Sequence, residues 1–136
     1  MISSNPFTHN VHVLFRREDI TRKFIQDKIV VVLDILFATT TIVSAFSHGV
    51  KKVIPVRDET NARLAADDLT TDSYVLAGEL YAETIKGFAS PTPLALAQTG
   101  LKDKTLIYST TNGTVALQQS VGAHQVFVGS LLNAEA

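Results

Sequence analysis

The chain contains no cysteine and no tryptophan. Without cysteine there is no disulfide framework and no thiolate metal site. Neither sign of charge dominates: Lys and Arg number 12, Asp and Glu 13, for a net charge of -1. Nucleic-acid-binding surfaces are normally strongly basic, so this balance argues against one. No uncharged apolar run approaches the length of a membrane-spanning helix. Residues 1–6 lack the basic-then-apolar layout of a signal peptide. These absences predict a soluble cytoplasmic chain with no membrane and no nucleic-acid partner. Walker A and GxGxxG phosphate-binding motifs are also missing, and the histidines at 9, 12, 48 and 124 lack metal-ligand spacing.

What is present is apolar and periodic. The 136 residues are 46% hydrophobic, the size of one domain with enough apolar material for a core. Runs at 29–33, 74–78, 105–108 and 125–129 read as strands, and each stops at a polar residue: Asp34, Glu79, Ser109 and Ser130. The 29–33 run is continuous and rich in β-branched residues, as expected of a strand buried on both faces. Residues 11–15 predict a further strand at an edge. Residues 53–56 predict another, whose Pro55 belongs at an edge or a strand end because it cannot donate a ladder hydrogen bond. Helices are predicted at 38–48, closed by Gly49, and at 59–69, 94–98 and 113–121, the last capped by Asn112 and stopped by Gly122. Residues 16–28 read as a short helix or structured loop, and residues 80–92 as a loop broken by Gly87 and Pro91. Alternating strands and helices predict a layered α/β fold with one mainly parallel sheet, in a single domain over 1–136. Residues 131–136 predict a helix just beginning. A helix so short is unstable alone, which leaves a disordered tail or a piece of a longer protein.

In such a sheet, ligands bind outside the carboxyl ends of the strands. Asp34 is a carboxylate at that edge. It suits Mg²⁺, which takes oxygen ligands, or work as a nucleophile or general base, or simple capping of the turn. Glu79 is a second carboxylate that could share a metal with it, or a solvated strand end. Ser109, Thr110, Thr111, Asn112, Gly113 and Thr114 gather hydroxyls and N–H groups at a strand-to-helix turn. That is either an anion site or ordinary helix capping, which uses the same residue types. Thr39, Thr40 and Thr41 form a second segment of this kind, and Ser130 with Asn133 a third.

In this order, Val32-Leu33-Asp34-Ile35-Leu36, Ala38-Thr39-Thr40-Thr41-Ile42, Gly78-Glu79, Gly87-Phe88, Ser109-Thr110-Thr111-Asn112-Gly113-Thr114 and Gly129-Ser130 with Leu132-Asn133-Ala134 resemble the 2-phosphosulfolactate phosphatase (ComB-like) family of coenzyme M and sulfolactate biosynthesis. The resemblance spans about residues 29–134 and implies the N-terminal portion of a longer chain. It implies a ComB-like fold and a Mg²⁺-dependent hydrolase that releases phosphate from a small sulfonated phosphate monoester. Asp34 and Glu79 would be catalytic and metal-binding. Thr39, Thr40, Thr41, Ser109, Thr110, Thr111, Asn112, Gly113, Ser130 and Asn133 would bind substrate. Three positions depart from the family pattern: Phe37 and Leu80 stand where the family has arginine, and Ala89 where it has an acid. Arginine is suited to bidentate phosphate or sulfonate recognition, so the competing expectation is an inactive binding or assembly module on the same scaffold. An uncovered sheet face after the last strand would invite association, which predicts a homo-oligomer or a completing extension.

Overall fold

The structure is a computed structural model that describes residues 10–136. Its elements are α1 (Arg22–Ile25), β1 (Ile29–Leu33), α2 (Ala38–Ser47), β2 (Lys52–Val56), α3 (Glu59–Asp67), β3 (Tyr74–Leu80), β4 (Glu83–Thr84), α4 (Pro93–Ala97), β5 (Thr105–Ser109), α5 (Gly113–Gln119) and β6 (Gln125–Gly129), with short 3₁₀ turns at Arg17–Asp19, Thr71–Ser73 and Leu131–Asn133. The layered α/β reading holds, with all pairings parallel except β3 with β4. The single sheet does not. The strands form two sheets, a β1-β6 ribbon and a four-stranded sheet in the order β2-β5-β3-β4. The helices α2, α4 and α5 fill the space between them.

Alternation along the strands shows why. On β5, Leu106 and Tyr108 face the middle helices and join Ala38, Ile42 and Ala45 of α2, Leu96 of α4 and Leu117 of α5 in one core. Ile107 faces the other way and packs with Val56 and with Ala62 and Ala66 of α3 in a second core. The central strand is thus buried on both faces, as parallel sheets require. Val32, with Val30 and Val128, closes the first core from the ribbon side. Pro55 lies on an edge strand, since among the described residues β2 pairs with β5 alone, and its carbonyl accepts from Gln118 Nε2 of α5.

Several expectations need correction. Ile29, Val31 and Leu33 are exposed, so β1 is buried on one face only. Residues 11–15 form no strand: among the described residues they pair with none, and Val11, Val13 and Phe15 are exposed. Residues 83–84 pair with the end of β3 as a hairpin where a plain loop is predicted. Asn112 sits at the N-cap of α5, but its side chain makes no capping bond. The glycines at 49 and 122 do close their helices with positive φ, +80° and +105°.

Candidate active site

Three strand ends meet in a cleft of about 370 Å³ lined by Asp34, Leu36, Phe37, Ala38, Glu79, Tyr81, Ala82, Thr110, Thr111 and Asn112. They belong to the turn after β1, the hairpin after β3 and the turn after β5. Two glycines permit the approach. A Cβ on Gly78 would lie 2.5 Å from the Ser109 carbonyl, so only glycine lets the ends of β3 and β5 come this close. A Cβ on Gly113 would lie 2.4 Å from Ala38 Cβ and 2.6 Å from Asp34 Oδ2. Glycine there lets the first turns of α2 and α5 close around the Asp34 carboxylate.

Asp34 is held by its neighbours in sequence. Its N–H donates to Thr39 Oγ1 at 2.8 Å, and Thr39 N–H donates back to the Asp34 carbonyl at 3.0 Å. Burial pushes the Asp34 carboxyl above its usual range, and the charge of Glu79 pushes the same way. The N–H groups of Gly113 and Ala38 oppose the rise. A half-buried carboxylate beside a second one is an arrangement that a cation relieves.

Glu79 is the hub of the opposite wall. Its Oε1 accepts from Thr111 N–H at 2.5 Å, and its Oε2 accepts from Thr111 Oγ1 at 2.9 Å and from Ala82 N–H at 2.7 Å. Tyr81 N–H completes the clasp by donating to Thr111 Oγ1 at 3.0 Å. These bonds hold a hairpin turn whose residues both sit in the left-handed region, Tyr81 at φ 52° and Ala82 at φ 67°. Two-residue hairpins need that conformation but usually use Asn-Gly, since a side chain there costs about 1 kcal/mol.

The sequence-predicted residues divide into three groups. Asp34, Glu79, Thr110, Thr111 and Asn112 line the cleft. Gly113 underlies it, and Ser109 is buried beneath. Thr110 is buried and bonds reciprocally with Thr114: each N–H donates to the other's Oγ1, at 2.8 and 3.1 Å. The hydroxyls of Thr39, Thr40 and Thr41 lie elsewhere. Thr39 is fully buried against Asp34 N–H, Thr40 donates to the Ile35 carbonyl, and Thr41 donates to the Pro91 carbonyl. They build the turn that presents Asp34 and do not line the cleft. Ser130 and Asn133 line a separate groove at the end of the β1-β6 ribbon. There they cap each other: Ser130 N–H donates to Asn133 Oδ1 at 2.8 Å, and Leu132 N–H donates to Ser130 Oγ at 3.1 Å.

Two features escaped sequence reasoning. The Tyr81-Ala82 turn carries no hairpin signature. Arg17 donates from its guanidinium to the Thr111 carbonyl, a contact 94 residues away in sequence, and only the fold could reveal it. No Lys, Arg or His is among the residues lining the cleft. Phe37 lines it, Leu80 does not, and Ala89 makes a bridge with Ala77 in the sheet.

Fold and site together define a layered α/β protein with a two-carboxylate cleft at the carboxyl ends of its strands. The sequence profile of the 2-phosphosulpholactate phosphatase family matches residues 14–136. The chain belongs to that family. It is 36% identical over 126 residues to a protein of Clostridium beijerinckii named "Probable 2-phosphosulfolactate phosphatase", covering 92% of this chain and 53% of the relative. Identically named proteins of Clostridium tetani and Caldanaerobacter subterraneus are 37% and 41% identical, over 93% and 82% of this chain and 54% and 47% of theirs. The chain therefore spans about half the length of these relatives. Among the described residues, no helix is long and apolar enough to cross a membrane.

Proposed function

We propose that this cleft serves the Mg²⁺-dependent hydrolysis of 2-phosphosulfolactate, a small sulfonated phosphate monoester, to sulfolactate and phosphate, in the cytoplasm. The observation that carries the reading is the convergence of Asp34 and Glu79 on one cleft with no cationic side chain among its lining residues. Family membership and the names of the relatives support it. Two carboxylates would repel a phosphate dianion, so the site needs a positive charge from elsewhere. Among the described residues, no three His, Cys, Asp or Glu cluster as metal ligands. Two oxygen donors in an open cleft suit Mg²⁺, which usually takes one or two carboxylates and completes its shell with water and phosphate oxygens.

Asp34 would hold the metal, fixed in place by Thr39 and by the N–H groups of Ala38 and Gly113. Glu79 would share it while keeping the Thr111 loop in position. Mg²⁺, when bound, supplies neutralisation of the phosphoryl charge. Thr111 and Asn112 face the cleft and would orient the phosphoryl or sulfonate oxygens. Leu36 and Phe37 at the rim would limit water around them. The test is release of inorganic phosphate from 2-phosphosulfolactate with Mg²⁺ and with EDTA. Release should require Mg²⁺ and should vanish in Asp34→Asn with the circular dichroism unchanged. Release that ignores Mg²⁺, or that persists in Asp34→Asn, contradicts the reading.

A further inference from the structure

The two sheets of this protein are closed differently. The four-stranded sheet has α3 on one face and the middle helices on the other. The β1-β6 ribbon has the middle helices on one face and, among the described residues, no α-helix or sheet on the other, where only the turn at 130–136 borders its end. On that outer face Ile29 is 62%, Val31 54% and Leu33 67% exposed, and Phe127, in register with Val31, is 51% exposed. Val31, Leu33 and Phe127, with Ile35 and Leu131, line a groove of about 580 Å³ in which no lining side chain is charged. Both ribbon edges are free among the described residues, since β1 and β6 pair only with each other.

Parallel strands occur almost only with both faces covered. A contiguous apolar face of this kind marks an interaction surface. The relatives indicate what it takes. The match to the Clostridium beijerinckii protein covers 53% of that chain, and the match to the Clostridium tetani protein 54%. Close to half of each relative lies outside the match. We infer that the outer face of β1 and β6 is the docking surface for that other half of the family's chain, which packs an apolar layer against Val31, Leu33 and Phe127. The ribbon is then the start of a second sheet, and the inference does not depend on the phosphatase reading.

The absence of cysteine makes the test direct. Val31→Cys places a single reporter thiol on the face, and Leu64→Cys, at an exposed position of α3, is the control. Each is prepared in this chain and in a fusion to the unmatched part of the Clostridium beijerinckii protein. Maleimide labelling is followed by peptide mass spectrometry. The Val31→Cys thiol should react freely in this chain alone and about tenfold or more slowly in the fusion, with the Leu64→Cys thiol equal in both. Equal labelling of Val31→Cys in both forms overturns the inference. So does a thiol already protected in this chain alone with light scattering giving a dimer, which makes a second copy the occupant. If the junction prevents folding, a thiol at the position aligned with Val31 in the whole Clostridium beijerinckii protein decides: protection supports docking and free reaction overturns it.

Discussion

After β5 the chain reads Thr110-Thr111-Asn112-Gly113, and after β6 it reads Ser130-Leu131-Leu132-Asn133. Both turns follow a parallel strand and carry hydroxyl and amide side chains. They meet different surroundings. Beyond β6, Ser130 and Asn133 satisfy each other and Val128, and the turn closes on itself. Beyond β5, the Thr110–Thr114 pair closes the base of the turn, while Thr111 reaches across to Glu79 on another strand. Its main-chain oxygen is held from a third direction by Arg17. Polar residues at a strand end become part of a site when their bonds cross to another strand's carboxylate. When the bonds stay within the turn, the residues are a cap.

The largest expected contrast lies between two glycines at these ends. Gly113→Ala drives a methyl group into Ala38 Cβ, which the backbone fixes, and into Asp34 Oδ2, a carboxylate that accepts from the Ala38 and Gly113 N–H groups. It should cost about 3 kcal/mol in urea unfolding and should weaken Mg²⁺ binding. A Cβ on Gly129 would meet Leu33 Cδ2 at 2.5 Å, which is just as close, but Leu33 is an exposed side chain free to rotate. Gly129→Ala should therefore stay within about 0.5 kcal/mol of the parent. Equal losses would show that the two ends do not differ in rigidity.

The next contrast is between two acceptors. Glu79→Ala leaves the N–H groups of Thr111 and Ala82 without their partner. A cost of about 2 kcal/mol is expected, together with faster amide exchange at both residues. Asn133→Ala removes only a cap, should cost about 1 kcal/mol and should leave Mg²⁺ and phosphate binding unchanged. Loss of phosphate binding in Asn133→Ala would make the β6 turn part of the site.

A third contrast is between Phe37 and Leu80, the two positions where the resemblance implies arginine. Phe37 lines the cleft and Leu80 does not. Phe37→Arg should tighten phosphate binding about tenfold in calorimetric titration, as one charge-assisted hydrogen bond allows. Leu80→Arg should change it little.

The smallest effect concerns pH. The Asp34 carboxyl titrates above its usual range in the folded protein, so the native state binds more protons than the unfolded chain in that window. Stability should fall as pH rises from the ordinary aspartate range through the raised value. With EDTA present, Asp34→Asn should melt higher than the parent at pH 7 and equal to it at pH 3. The gain should stay below about 1 kcal/mol, since Asp34 is partly open to solvent. A variant that melts lower at pH 7 would mean that the carboxylate supports the fold.

Asp34, Glu79 and the 109–114 turn are legible in the sequence as a strand-end group, because apolar runs stop abruptly at those residues. The same rule also draws in Ser130 and Asn133, because type and position do not reveal which partners a side chain finds. The Thr39-Thr40-Thr41 hydroxyls are legible as a polar group, but their partners, Ile35, Pro91 and the Asp34 N–H, are set by the turn and by distant packing. In β1 every residue is apolar, so no alternation distinguishes the buried Val32 from the exposed Val31 and Leu33. That is why two sheets read as one. The Tyr81-Ala82 hairpin is invisible in the sequence because its conformation is imposed by Glu79 and Thr111 and owes little to its own residue types.

The central claim is that Asp34 and Glu79 form one cation site beside the Thr111 loop. Amide chemical shifts followed by NMR, as Mg²⁺ and then inorganic phosphate are added to the parent and to Asp34→Asn, test it most directly. The account predicts saturable shifts at Asp34, Ala38, Glu79, Thr111 and Asn112, none at Ser130 and Asn133, and no response in the variant. Shifts of equal size in Asp34→Asn, or shifts centred on Ser130 and Asn133, would contradict it.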